Sequence, residues 1–169
     1  MSLEKDASYW VNHLALKPHP EGGFYREVYR SSEGVAQTAL PDRFSGPRSF
    51  CTSIFYLLER GDFSSFHRIK SDETWHFYAG GALEVVILGD GGATTITLGQ
   101  EISLGQQLQL TVPAAIWFAS RPAPDTTFSL VGCTVSPGFD FADFEMGKRG
   151  ELLNEFPSAD ETIRKLTRG

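Results

Sequence analysis

The sequence predicts an all-β protein, a sandwich or closed barrel framed by a short N-terminal helix and a helical C-terminal segment. Two observations carry that expectation. From Ser49 to Ser136 the chain is a series of short runs rich in β-branched and aromatic residues, separated by the turn signals ERGD, AGG, GDGG and RPAPD. Seven or eight such strands at even spacing fit two packed sheets or a closed barrel.

The elements follow in order. Leu3, Ala7, Trp10, Val11 and Leu14 recur at helical spacing, so a short amphipathic helix is expected over residues 3–15 with Ser2 as its N-cap. KPHP and EGG form a Pro- and Gly-rich loop, for which the Gly22–Gly23 doublet needs only to serve as a tight turn. FYREVYR reads as a strand, and residues 31–48 as a polar, irregular connection. Strands are then expected at SFCTSIFYLL, SSFHRI, TWHFYAG, ALEVVIL, ATTITLG, LQLTVP, AIWFAS and TTFSLVGCTVS. PGFDFADFEMG alternates Phe with acids and reads as a structural edge packing over the barrel mouth. KRGELLNEF and SADETIRKLTR read as helices, the second opened by a Ser158–Glu161 capping box. No repeat, low-complexity tract or linker divides the chain. One domain over 1–169 is therefore expected, with a barrel core at about 20–140 and a helical tail at about 145–168.

Composition narrows the classes of function. No stretch approaches the roughly 18 apolar residues of a membrane span. The charged N-terminus MSLEKDASYW lacks a signal-peptide core, so a cytoplasmic protein is expected. Cys51 and Cys133 sit in apolar runs and read as buried free thiols. A net charge of −6 argues against a nucleic-acid partner. Eight of the fifteen Lys and Arg residues lie between Lys17 and Lys70, and none lies between Ser71 and Ser120. An anion-binding pocket would have to draw mainly on Arg26, Arg30, Arg48 or Arg68, although any one of them taken singly reads better as a solvated surface charge.

The segment GDFSSFHRIKSDETWHFYAGG carries the chemistry. Gly61, His67, Glu73 and Gly80 stand at the spacing of a strand-borne metal motif, in which residues i and i+2 point to one face. Ile69 occupies the place of the second histidine, and in PAAIWF Phe118 occupies that of a further one. Two of four ligands, His67 and Glu73, remain. His13 and His19 lie on the helix and in the loop, and His76 has the opposite strand parity to Glu73. No tightly held metal or other cofactor is expected; any divalent ion would be weakly held by His67 and Glu73. Trp75 shares the parity of Glu73 and should point inward, whereas His76 and Tyr78 should face the other way.

HPEGGFYREVYR, FHRIKSDETWHFYAGG, VPAAIW and GCTVSPGFDFADFEMGKRGELL, spread over roughly residues 10 to 157, resemble the signatures of the Cupin_5 family. The resemblance implies a cupin jelly-roll β-barrel, usually paired as a homodimer. It also implies that the equivalents of His67 and Glu73 are kept and the other two ligands absent, and it brings no settled reaction.

Three functions remain open on the residues. The first is a small polar or anionic organic molecule bound in the barrel, with Arg26, Arg48, Arg68, Trp75, Trp117, Phe118 and Ile69 as the candidate lining. The second is a metal-independent sugar-nucleotide epimerase or isomerase, with His67 as general base, Glu73 orienting it and Tyr56 or Tyr78 as acid. This rests on analogy of fold with metal-free epimerases, and fold alone does not give function. The third is a metal-dependent enzyme with an incomplete ligand set. Against all three stands a plain structural role, in which His67 and Glu73 are a buried pair that satisfies itself.

Overall fold

The computed structural model describes residues 5–169. Helix α1 spans Ala7–His13, opened by Asp6, whose carboxylate accepts from the Tyr9 amide at 2.8 Å. The helix thus starts later than the periodicity predicts. The expected cap Ser2, and Leu3, lie outside the described residues.

Thirteen strands follow. β1 (Lys17–Pro18), β2 (Phe24–Arg30) and the short pair β3 (Gly34–Val35) and β4 (Arg48–Ser49) precede β5 (Thr52–Glu59). Then come β6 (Ser64–Arg68), β7 (Asp72–Gly80), β8 (Leu83–Gly89), β9 (Gly92–Leu98), β10 (Gln109–Val112), β11 (Phe118–Pro122) and β12 (Phe128–Ser136). β13 (Glu145–Met146) leads into α2 (Arg149–Glu155) and α3 (Asp160–Lys165). The eight strands expected after Ser49 all form, because each run pairs β-branched or aromatic residues with a turn signal at its end.

Two antiparallel sheets face each other. One has the order β1-β2-β5-β12-β7-β10, the other β13-β6-β11-β8-β9, and β3–β4 stand apart as a two-stranded ribbon. The space between them is filled by Tyr56, Leu58, Trp75, Leu110, Val112, Val131 and Cys133 from the first sheet, and Leu83, Val85, Leu98 and Phe118 from the second. Period-2 alternation sends the neighbours of these residues outward. Phe66, Val86, Leu88, Trp117 and Ala119 on the outer face of the second sheet are covered by Leu152, Ile163 and Leu166 of the C-terminal tail. α1 covers part of the other sheet, where Ala7 and Leu16 meet Leu57, Phe128 and Leu130. The result is a jelly-roll barrel with helices on its outside.

The start of α3 departs from expectation. Ser158 belongs to a one-turn 3-10 segment (Pro157–Ala159), and Ala159 is the N-cap, with no side-chain hydrogen bond. Glu161 bonds Lys165 at 2.6 Å instead of closing a capping box. Pro157 favours the tight turn before Ser158, which moves the serine off the cap position. No helix among the described residues is long and apolar enough to cross a membrane.

Candidate functional site

The mouth of the barrel opens into a cavity of about 450 Å³ between the two sheets. Its floor comes from strand parity. On β7 Glu73 and Trp75 both point inward, and Val135 of β12 stands opposite Glu73. β6 brings His67 from the facing sheet, and Ile69, two residues on, lines the same cavity. His67 and Glu73, which stand six residues apart in the sequence, thus meet across the barrel in one cavity. His76 faces away and shares a hydrogen bond with Thr134 at 3.1 Å.

The rest of the lining was not legible from the motif. β2 contributes Tyr25 and Glu27 by parity, and then a bulge between Glu27 and Tyr29 shifts the register so that Arg30 lies opposite Thr52 on the inner face. Arg26 alternates outward, over the Phe55 ring. The loop before β2 inserts His19 and Glu21. Gly22 and Gly23 turn with φ of 117° and 73°, and a Cβ on Gly22 would lie 2.2 Å from the Phe63 carbonyl oxygen. Only glycine fits that approach. The Gly22 carbonyl accepts from the Tyr56 hydroxyl at 2.6 Å, and the Gly23 amide donates to Asp62 at 2.7 Å. The turn expected for EGG is therefore also the device that swings the preceding carboxylate inward.

Hydrogen bonds fix the state of the two imidazoles. His67 Nδ1 lies 2.8 Å from the Ser65 carbonyl oxygen and 3.2 Å from Glu21 Oε2. Both are acceptors, so Nδ1 carries a proton and Nε2 is the nitrogen left without a bond among the described residues. Phe144 stacks on the ring with centroids 5.3 Å apart, and Phe118 packs tilted against it at 4.2 Å. His19 Nδ1 accepts from the Glu21 amide at 3.2 Å. An accepting nitrogen cannot also donate to Glu21 Oε1, 3.7 Å away, so no ion pair forms there. Burial likewise pushes the His19 pKa down, in favour of the neutral ring.

Glu73 is held differently. Burial first, and the Glu21 charge second, push its pKa from the usual 4.5 to about 8, with hydrogen bonding to the Cys133 thiol opposing weakly. Two carboxylates line one cavity, and Glu73 keeps its proton. The Cys133 thiol is itself pushed well up by burial, which leaves it a neutral wall rather than a nucleophile.

Several candidate residues lie elsewhere. Arg48 is buried and bonds Asp143 through two nitrogens at 2.6 and 2.5 Å. Arg68 pairs with Glu145 at 2.8 Å and lies over the outward-facing Trp117. Trp117 immediately precedes Phe118, the first residue of β11, and the two point to opposite faces, the first under the helical tail and the second inward. Trp75 and Phe118 pack in the barrel core, the latter against His67. The Tyr56 hydroxyl is spent on Gly22 and buried, and burial raises its pKa well above the usual value. Tyr78 lies over Gly132, away from the cavity lining. The PGFDFADFEMG segment does pack over the mouth, but Phe139, Asp140, Phe141 and Phe144 also line the cavity.

Cupin barrels imply a metal, and the donor set here does not fit one. Among the described residues no three His, Cys, Asp or Glu side chains converge as an ion would require. Glu21 is turned to His67 Nδ1, and Ile69 and Phe118 stand at the other ligand positions.

The C-terminus braces this arrangement. Arg168 donates to the Glu21 carbonyl oxygen, to Ser65 Oγ at 2.6 Å and to Asp62 at 2.9 Å, with its guanidinium stacked on Phe63. Both halves of the His67–Glu21 pair are thus tied to one side chain.

The comparisons with known proteins agree with this architecture. A Leishmania major hypothetical protein is 32% identical, covering 97% of this chain and 99% of its own, with a TM-score of 0.87. A Shewanella oneidensis protein is 39% identical, covering 96% and 98%, with a TM-score of 0.84. Bacillus subtilis oxalate decarboxylase shares the fold at 16% identity and a TM-score of 0.53, over 88% of this chain and 36% of its own. No curated protein matches the chain. The signature of the Cupin superfamily (DUF985) family runs over residues 8–147 and takes in the inserted loop, the His67 strand and the segment over the mouth. With most of its length matched, this chain belongs to the Cupin_5 family.

Proposed function

We propose that the cavity binds a small polar organic molecule without a tightly held metal. The observation that supports this best is the cavity itself. About 450 Å³ lies within the range of small-ligand sites. His19, Glu21, His67 and Glu73 are among its polar groups, and Ile69, Phe139, Phe141 and Phe144 supply apolar walls. A purely structural His–Glu pair would need neither the space nor the aromatic rim. The test is a thermal-shift screen of polar metabolites on the wild type and on Ile69→Trp, which fills the cavity. Compounds that stabilise the wild type and not the variant support the reading. A broad screen with no hit in the wild type would count decisively against it.

A second reading has its own observation. Glu21 and the Ser65 carbonyl hold the His67 proton on Nδ1, which leaves Nε2 to act as a general base. In an isomerisation, Nε2 would take the proton from a carbon beside a carbonyl while the neutral Glu73 carboxyl donates to the carbonyl oxygen. Return of a proton to the other face or carbon completes the step. Solvent deuterium appearing at that carbon in the wild type but not in His67→Gln would establish the reaction. Pairing into a homodimer is part of the same proposal, and light scattering on the purified chain decides it.

A further inference from the structure

The charged groups facing the cavity define what it can hold. Its lining includes the carboxylates Glu21, Glu27 and Glu73 and the rim residue Asp140, against one guanidinium, Arg30. Arg30 is already engaged. Its Nε and Nη2 donate to Glu27 at 2.9 and 2.7 Å, and its Nη1 donates to Ser49 and to the Phe139 carbonyl oxygen. Four of its five N–H groups are taken, which leaves little for an anionic ligand. Arg48 is bound to Asp143 and buried, Arg26 and Arg68 lie outside the lining, and His19 Nδ1 accepts rather than donates.

On the acidic side the position is reversed. Glu27 is matched by Arg30, and Glu21 by the His67 N–H. Glu73 is only 8% exposed and stands in no ion pair among the described residues. The hydrogen-bonding group beside it is the Cys133 thiol, a weak donor. A carboxyl placed there, in no ion pair and facing an open space, points to a ligand whose positive charge draws off the Glu73 proton and takes the carboxylate as its partner. The wall beside it is suited to a positive charge. Phe139, Phe141 and Phe144 meet edge to face, with ring centroids 5.0 to 6.4 Å apart. Aromatic faces attract cations, and the contact strengthens when the site is dry.

We propose that the ligand is a small organic cation, a protonated amine carried on an apolar or aromatic body, with its ammonium group on Glu73 and its body against the Phe139–Phe144 wall. This rests on the binding reading above and replaces its anionic half with the opposite charge. Glu21 lies behind the ammonium site as a second carboxylate, and Arg30, neutralised by Glu27, guards the rim without competing for the head group.

The test uses the full chain and three probes of one shape: phenethylamine, 2-phenylethanol and 3-phenylpropanoate, titrated by calorimetry and by NMR. The amine should bind about tenfold or more tightly than the alcohol, since a charge-assisted hydrogen bond replaces a neutral one. The propanoate should bind most weakly. Glu73→Gln should reduce the amine's advantage over the alcohol to about threefold or less, and a cooperative thermal melt shows that the variant is folded. An alcohol or propanoate that matches the amine overturns the cation assignment and leaves the cavity a small-molecule site. Retention of the full amine preference in Glu73→Gln overturns the role given to Glu73. If none of the three binds at millimolar concentration, the cation assignment falls, and the binding reading is decided separately by the thermal-shift screen.

Discussion

Glu73→Gln should make this protein more stable at neutral pH, and the size of the effect follows from the burial of one carboxyl. In the folded chain the Glu73 pKa stands at about 8 against an ordinary 4.5. The folded state therefore holds a proton between pH 4.5 and 8 that the unfolded chain has released. Stability falls as pH rises through that window, by about 1.4 kcal/mol per pH unit, and levels off above pH 8. At pH 7 the accumulated cost is about 3 kcal/mol. Glutamine has nearly the same shape and no proton to hold, so the variant escapes the cost. For a chain of 169 residues that is a rise in Tm of roughly 6–12 °C. The assay is urea or thermal unfolding of both proteins at several values between pH 5 and 8.5. His19, whose pKa burial lowers, contributes a slope of the opposite sign below its unfolded value of 6.5, and the difference between the two proteins removes it. The gap should be about 1 kcal/mol or less at pH 5 and widen toward pH 8. Parallel pH profiles, or a variant less stable at every pH, would refute the reasoning.

Two further predictions concern the supports of the site. Asp143→Asn leaves the Arg48 guanidinium buried without its counter-charge and should cost about 3 kcal/mol in urea unfolding, whereas Arg48→Met with Asp143→Leu should cost much less. A single-variant loss below about 1 kcal/mol would mean that water reaches the pair. Arg168→Ala should release Glu21 and Ser65 together, because Arg168 donates to both. The expected result is a changed His67 15N tautomer pattern in NMR spectra, from a weakened Nδ1 hydrogen bond, with little loss of global stability. An unchanged pattern would show that the turn holds Glu21 without help.

Much of the barrel was readable along the chain because its signals are local. A strand needs a β-branched or aromatic run and a turn residue at its end, and β5 to β12 have both. The inward direction of His67 and Glu73 was also legible, since alternation and the glycine-framed spacing decide it within one segment. The capping box at Ser158 misled because a proline one residue earlier tightens the turn.

The identity of the remaining site groups depended on tertiary structure. One extra residue in β2 carries Arg30 to the inner face and leaves Arg26 outside, and no local signal marks that bulge. Glu21 enters from a loop, where period-2 parity does not apply. Its position depends on the Phe63 carbonyl pressed against Gly22 and on Arg168, 147 residues away in the chain. Arg48 and Arg68 were plausible cations until Asp143 and Glu145, far along the chain, neutralised them. Alternation is a property of the backbone and can be read residue by residue. Which charges cancel, and which carboxyl is left alone in the dark of the barrel, depends on segments that meet only when the chain is folded.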